Sequence, residues 1–127
     1  MSLLKRISVV QFNVSNWEQA KAFYGEKLGL EASFDMGPEV GWCEFGPQGQ
    51  TTLAINLWRD GEAPRGGGGA TPVFDVEDCA EAVAELRKRG VKCDDAVTIP
   101  GMVSYANVYD PEGNRFQIAQ SLVTTSA

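Results

Sequence analysis

The sequence predicts an α+β fold built from two βαβββ modules, and three observations carry that expectation. An internal repeat aligns Val9–Asn16 with Thr71–Asp78 at an offset of 62 residues. An amphipathic helix with a start signal follows each copy. Short β-prone runs separated by turn residues follow each helix in turn.

In the repeat, Phe12 matches Phe74, Val14 matches Val76, and the polar Asn16 matches Asp78. Both segments alternate apolar and polar residues at period two before switching to a helical period. Asn16 with Gln19, and Asp78 with Glu81, form capping-box patterns in which a short polar side chain serves the N3 amide. The first helix carries an apolar stripe through Ala20, Phe23 and Tyr24 and closes at Gly29. The second carries Cys79, Val83 and Leu86 and closes at Gly90. Strands are expected at roughly Leu30–Phe34, Gly41–Phe45 and Thr51–Trp58, with Gly37-Pro38 and Gly46-Pro47 as breaks. The second half mirrors them at about Val91–Val97, Ser104–Tyr109 and Arg115–Ala119, broken by Pro100-Gly101 and by Asp110-Pro111-Glu112-Gly113-Asn114. Leu53-Ala54-Ile55 corresponds to Phe116-Gln117-Ile118 at an offset of 63. The expected organisation is one domain over 1–127, with module 1 at about 5–60, a Gly-rich linker at 61–70 and module 2 at about 71–121.

Composition narrows the function. Eleven Lys and Arg against 17 Asp and Glu give a net charge of −6, which disfavours nucleic acid and anionic membrane surfaces as partners. No apolar run approaches the roughly 20 residues of a spanning helix, and the start has no secretory h-region, so the expected location is cytoplasmic. The chain has no histidine. That removes Ser-His-Asp triads, Cys-His dyads, His general bases and every His-bearing metal site. Three cysteines without a CxxC pair give neither a structural zinc site nor a disulfide framework. Cys79 falls at N1 of the second helix, where the dipole favours a thiolate, but Glu77, Asp78 and Glu81 oppose it. It reads as a small buried filler, and Cys43 and Cys93 read as core residues. The four glycines 66–69 lack the strand-to-helix context and the Gly-Lys-Ser/Thr of a phosphate cradle and read as a flexible connector. The 110–114 run reads as a turn whose Asp and Asn close it by side-chain bonds, and the tail 124–127 as frayed.

The strand followed by Val14-Ser15-Asn16, the helix with Phe23-Tyr24 and Leu28-Gly29-Leu30, and the closing Asp110-Pro111-Glu112-Gly113-Asn114-Arg115-Phe116 resemble the vicinal-oxygen-chelate superfamily. That superfamily includes glyoxalase I, bleomycin-resistance proteins and extradiol dioxygenases. The resemblance runs from about Ile7 to Gln120. It implies mixed sheets curled around a shared cavity, helices outside, and a homodimer. It also implies four symmetric metal-ligand positions, which here hold Val9, Ala54, Thr71 and Gln117. Valine and alanine have no ligating atom, and hydroxyl and amide oxygens are poor ligands for transition metals. The expectation is therefore no metal, no cofactor and a small, largely planar organic ligand, as in the members that bind without a metal.

Strand alternation then nominates the cavity face. If Val10, Phe12 and Val14 pack under the helix, then Val9, Gln11 and Asn13 face the cavity; likewise Thr71, Val73 and Asp75 in the second module. Asn56 and Trp58 share a face with Ala54, and Ala119 with Gln117. The candidate ligand-binding residues are Gln11, Asn13, Trp42, Asn56, Trp58, Thr71, Tyr105, Asn107 and Gln117. Trp42 and Glu44 share one strand face, either cavity or outside. Inside, they would offer a planar wall and a negative charge suited to a cationic aromatic ligand. Glu44 is also the candidate base for a rival reading, a lyase or dioxygenase-type enzyme using either a non-standard metal site or a Glu44 carboxyl raised in pKa by desolvation against Trp42.

Overall fold

The computed structural model describes residues 3, 5–66 and 69–123. Gly67 and Gly68 of the expected linker, and the tail expected to fray, lie outside them. The chain divides into two compact units, Met1–Pro64 and Arg65–Ala127. Each is a mixed sheet with a helix packed on one face.

In the first unit, β1 (Val9–Val14), β2 (Ala32–Asp35), β3 (Trp42–Phe45) and β4 (Thr52–Leu57) form a sheet in the order β1-β4-β3-β2, with β1 parallel to β4. The helix α1 (Trp17–Lys21) starts where the cap predicts: Asn16 Oδ1 accepts from the Gln19 amide at 3.0 Å. It continues as a π-helical turn over Ala22–Lys27, closed by the Leu28 amide donating to the Phe23 carbonyl at 2.9 Å. This wider turn was not expected. It lets the adjacent Phe23 and Tyr24 both point into the core, their rings edge to face at 4.9 Å. Tyr24, fully buried, also meets Phe12 at 6.2 Å and Phe45 at 6.0 Å. With Val14, Cys43, Leu53 and Ile55, these rings make the core of the unit.

The Gly37-Pro38 break is instead a one-turn helix, α2 (Gly37–Val40). Proline fits its first turn, and the Arg59 guanidinium donates to the Pro38 and Glu39 carbonyls at 2.8 and 2.9 Å, satisfying groups a short helix leaves open. Gly41 closes it in the left-handed region at φ 81°. A Cβ there would stand 2.6 Å from that of Leu57, so only glycine fits.

In the second unit, β5 (Val73–Asp75), β6 (Lys92–Cys93), β7 (Val97–Ile99), β8 (Val103–Tyr109) and β9 (Arg115–Ser121) form a sheet in which β5 lies parallel to β9 and both β6 and β7 pair with β8. The helix α3 (Cys79–Lys88) is capped by Asp78, whose Oδ1 accepts from the Glu81 amide at 3.0 Å. It covers Val91, Ala106, Val108, Phe116 and Ile118 with Cys79 and Val83. The single strand expected at Val91–Val97 is two strands, because three residues, 94–96, span the two residues 106–107 of β8 between the Cys93↔Val108 and Val97↔Tyr105 pairs. That is a β-bulge. The first unit has one in the corresponding strand after its helix, where Ser33 is extra between the Ala32↔Phe45 and Phe34↔Glu44 pairs.

The turn at 110–114 is built as its residues imply. Asp110 Oδ1 accepts from the amides of Glu112 and Asn114 at 2.9 and 2.8 Å, and Asn114 Nδ2 donates to Asp110 Oδ2 at 2.8 Å. Asn114 is fully buried, and its Oδ1 accepts from the Gly66 amide at 2.7 Å. One end of the glycine run is thereby fastened to the turn.

Candidate functional site

In each unit the sheet face opposite the helix is lined by polar and aromatic side chains. Register decides which residues share it, because directly paired residues lie side by side on one face. In the first unit one row is Asn13, Asn56 and Trp42, and the next is Gln11, Ala54 and Glu44. Cys43 and Phe45 point the other way, into the core under Tyr24. Trp42 and Glu44 are therefore on the open face, the alternative that strand alternation alone left undecided.

Glu44 is held from two sides. The Trp42 indole N–H donates to Oε2 at 3.0 Å, and the Thr52 hydroxyl donates to Oε1 at 2.7 Å. These bonds, Trp42 first, hold its carboxyl below the ordinary glutamate range, outweighing partial burial. This corrects the premise that Trp42 would raise it. The indole turns its polar edge to the carboxylate rather than an apolar face, so the contact favours the charged form.

Two chains of amides run across the open faces, each anchored on a group that can only accept. The Pro64 carbonyl accepts from Asn13 Nδ2 at 3.3 Å, so Asn13 Oδ1 is left to accept from Asn56 Nδ2 at 3.2 Å. In the second unit the anchor is the Asp94 carboxylate at the bulge. Its Oδ2 accepts from the Tyr109 hydroxyl at 2.7 Å and from Asn107 Nδ2 at 3.1 Å, and Asn107 Oδ1 accepts from Gln117 Nε2 at 3.0 Å. The Tyr109 and Asn107 bonds hold the Asp94 carboxyl down, and the same bond pushes the Tyr109 phenol up. The ammonium of Lys92 sits 5.0 Å from the Tyr109 ring centroid. Each chain ends on an amide, Asn56 or Gln117, whose carbonyl oxygen accepts from no donor among the described residues.

The nominated residues thus fall into two groups, each within its own unit. Asn13, Asn56 and Trp42 share a row in the first, with Gln11 exposed in the row beside them. Asn107 and Gln117 share a row in the second, and Tyr105 lies in the next, paired with Ala119. Trp58 lies just past β4, and its indole N–H donates to the Asp60 carbonyl at 2.9 Å. Thr71 precedes β5 and is half-buried in a connecting segment rather than in a strand. Sequence reasoning missed Thr52, Asp94 and the Pro64 carbonyl as participants. The paired acids Asp94-Asp95 inside an otherwise β-prone run were the one available signal of the bulge.

The donor set does not fit a metal. Of the four positions the resemblance implied, Val9 and Ala54 offer no ligating atom, Thr71 stands outside β5, and Gln117, its Nε2 bonded to Asn107, offers only a neutral amide oxygen, a poor ligand for a transition metal. Among the described residues no three of Cys, Asp and Glu converge. The three cysteines are buried and unbridged, and burial is the main cause pushing each thiol up.

A parallel βαβ step, capped helix and antiparallel return, repeated with a bulge in each copy and with open polar faces, define the glyoxalase type of fold. The chain belongs to the Glyoxalase/Bleomycin resistance protein/Dioxygenase superfamily, whose family pattern matches residues 6–118. Among curated relatives it is similar to YetH, an uncharacterised protein of Bacillus subtilis (strain 168), with 27% identity over 93% of this chain and 100% of YetH. Among solved structures it is similar to TnmS3, an antibiotic binding protein from Streptomyces sp. CB03234 (26% identity, TM-score 0.78, covering 95% of this chain and 99% of that one). It is likewise similar to a superfamily member from Sphaerobacter thermophilus DSM 20745 (28% identity, TM-score 0.77, covering 94% and 100%). No helix among the described residues is long and apolar enough to cross a membrane.

Proposed function

We propose that the chain is a ligand-binding member of its superfamily that works without a metal, holding a small, largely planar organic molecule against its open sheet faces. The observation that carries this reading is the pair of anchored amide chains. A hydrogen-bonded amide that ends in an open carbonyl, beside an aromatic side chain, suits an organic ligand with donors of its own. A transition-metal ion would need several carboxylates, thiolates or imidazoles converging on one point, and no three of Cys, Asp and Glu do so among the described residues. The likeness to TnmS3, an antibiotic binding protein, supports a small organic ligand as the cargo. The resemblance further supports assembly as a homodimer, which sedimentation of the purified chain tests.

The deciding experiment pairs metal analysis with a ligand screen on untagged protein purified without chelators. The reading expects transition metal far below one equivalent per chain and saturable quenching of tryptophan fluorescence by planar aromatic compounds. Gln117→Leu should then weaken binding by about 1 kcal/mol, the worth of one neutral hydrogen bond. Stoichiometric metal together with turnover of a glyoxalase-type substrate would overturn it in favour of an enzyme.

A further inference from the structure

The first unit contains a pocket of about 350 Å³ on the open side of its sheet, and Glu44 lies in its wall. Thr52 and Ser33 add hydroxyls, Phe34 and Val9 add apolar surface, and Gln48 closes one edge by donating to the Ser33 carbonyl at 3.2 Å. Glu44 is half-buried, and its two hydrogen bonds occupy about half of the roughly four lone-pair directions of a carboxylate. It has no ion-pair partner among the described residues. Arg6 lines the same pocket without pairing with it, and no cation figures among the causes that hold its carboxyl low. A carboxylate kept ionised by neutral donors, partly withdrawn from water and without a counter-ion, is an incomplete electrostatic arrangement. The equivalent position of the second unit carries the neutral Asn107, so this charge belongs to the first unit alone.

We propose that this pocket takes the cationic end of the ligand, a protonated amine, amidine or guanidine borne on an aromatic body, with Glu44 as its counter-ion. The proposal rests on the ligand-binding reading above and adds charge and place to it. Phe34, 48% exposed, gives the aromatic body an apolar wall, and the Trp42–Glu44 bond fixes the carboxylate so that its remaining lone pairs are already set for N–H donors.

Benzamidine, benzamide and benzoate share a ring and nearly a shape while carrying positive, no and negative charge. Titrating each into the full chain and following backbone amides and indole N–H groups by NMR tests the proposal. Benzamidine should bind at least tenfold more tightly than benzamide, and benzoate should not bind. The shifts should centre on the Trp42 indole and the amides of Ser33, Phe34 and Gly49. Glu44→Gln should remove at least tenfold of the benzamidine affinity and the preference with it. The comparison on the unaltered chain stands whether or not that variant folds. Benzamide or benzoate binding as well as benzamidine, or shifts confined to the second unit, would overturn the proposal and leave the ligand-binding reading intact. No binding by these three probes, or by any other planar aromatic, would overturn both.

Discussion

Asn114→Asp exchanges a buried amide for a carboxyl of the same size, and the structure sets what that costs. Asn114 Nδ2 donates to Asp110 Oδ2 at 2.8 Å, with Asn114 fully buried and Asp110 nearly so. In the variant an oxygen replaces that donor. Two ionised carboxylates with oxygens at this distance repel by about 6 kcal/mol at an effective dielectric near 20. Keeping a proton on the new carboxyl at pH 7, against an ordinary aspartate pKa near 3.9, costs only about 4 kcal/mol. The cheaper route wins, so the folded variant keeps one proton between the two groups. The folded pKa is then raised above the unfolded one. Stability is undiminished below the unfolded value and falls as pH rises, by about 1.4 kcal/mol per unit. Urea unfolding of both chains, followed by tryptophan fluorescence from about pH 5 to about pH 7, should show a deficit growing from about 1.5 to about 4 kcal/mol. A deficit that does not change with pH, or stays under about 1 kcal/mol throughout, would refute the argument that this turn is closed by the amide donor.

Other expectations concern single contacts. Gly41→Ala should lower the melting temperature more than Gly49→Ala. Both positions have a left-handed backbone, worth about 1–2 kcal/mol, but only at Gly41 would the new Cβ strike another atom; equal losses would mean the 2.6 Å approach to Leu57 is relieved at no cost. Trp42→Phe should move the Glu44 titration upward toward the ordinary glutamate range in side-chain NMR, since the indole N–H is the first cause holding it down. Glu44 contributes stability above its unfolded pKa and loses it as pH falls, so the variant should also be less acid-sensitive; an unmoved titration would show that Thr52 alone sets it. The three thiols, pushed up chiefly by burial, should resist a disulfide reagent in the native protein and react fully in urea. Rapid native labelling of any one would contradict its burial.

Much of the fold was legible because its signals are local. Asn16 and Asp78 mark helix starts through amides three residues on, and the apolar alternation of Phe12 and Val14 needs no partner to be read. What escaped depends on distant groups. The α2 turn is completed by Arg59, some twenty residues away, so Gly37-Pro38 by itself reads as a break. The π-helical turn answers the need to bury two adjacent rings beneath one sheet. The side on which Trp42 and Glu44 lie followed only from their pairing with Asn56 and Ala54. For the site, residue types could be nominated, but their direction could not. Whether an amide shows its oxygen or its nitrogen is decided at the far end of each chain, by the Pro64 carbonyl and by Asp94.

The two bulges bear on how the halves should be overlaid. Each half carries one supernumerary residue in the strand region that follows its helix, between the Phe45 and Glu44 rungs in the first and between the Val108 and Tyr105 rungs in the second. Deleting Ser33 would bring Ala32 and Phe34 together opposite Phe45 and Glu44, so alternation would become regular while each kept its face. The extra residue is slack in the thread, which can be taken up without turning the pattern over. An overlay of the halves is better pinned on the rungs either side of it than on a count of residues.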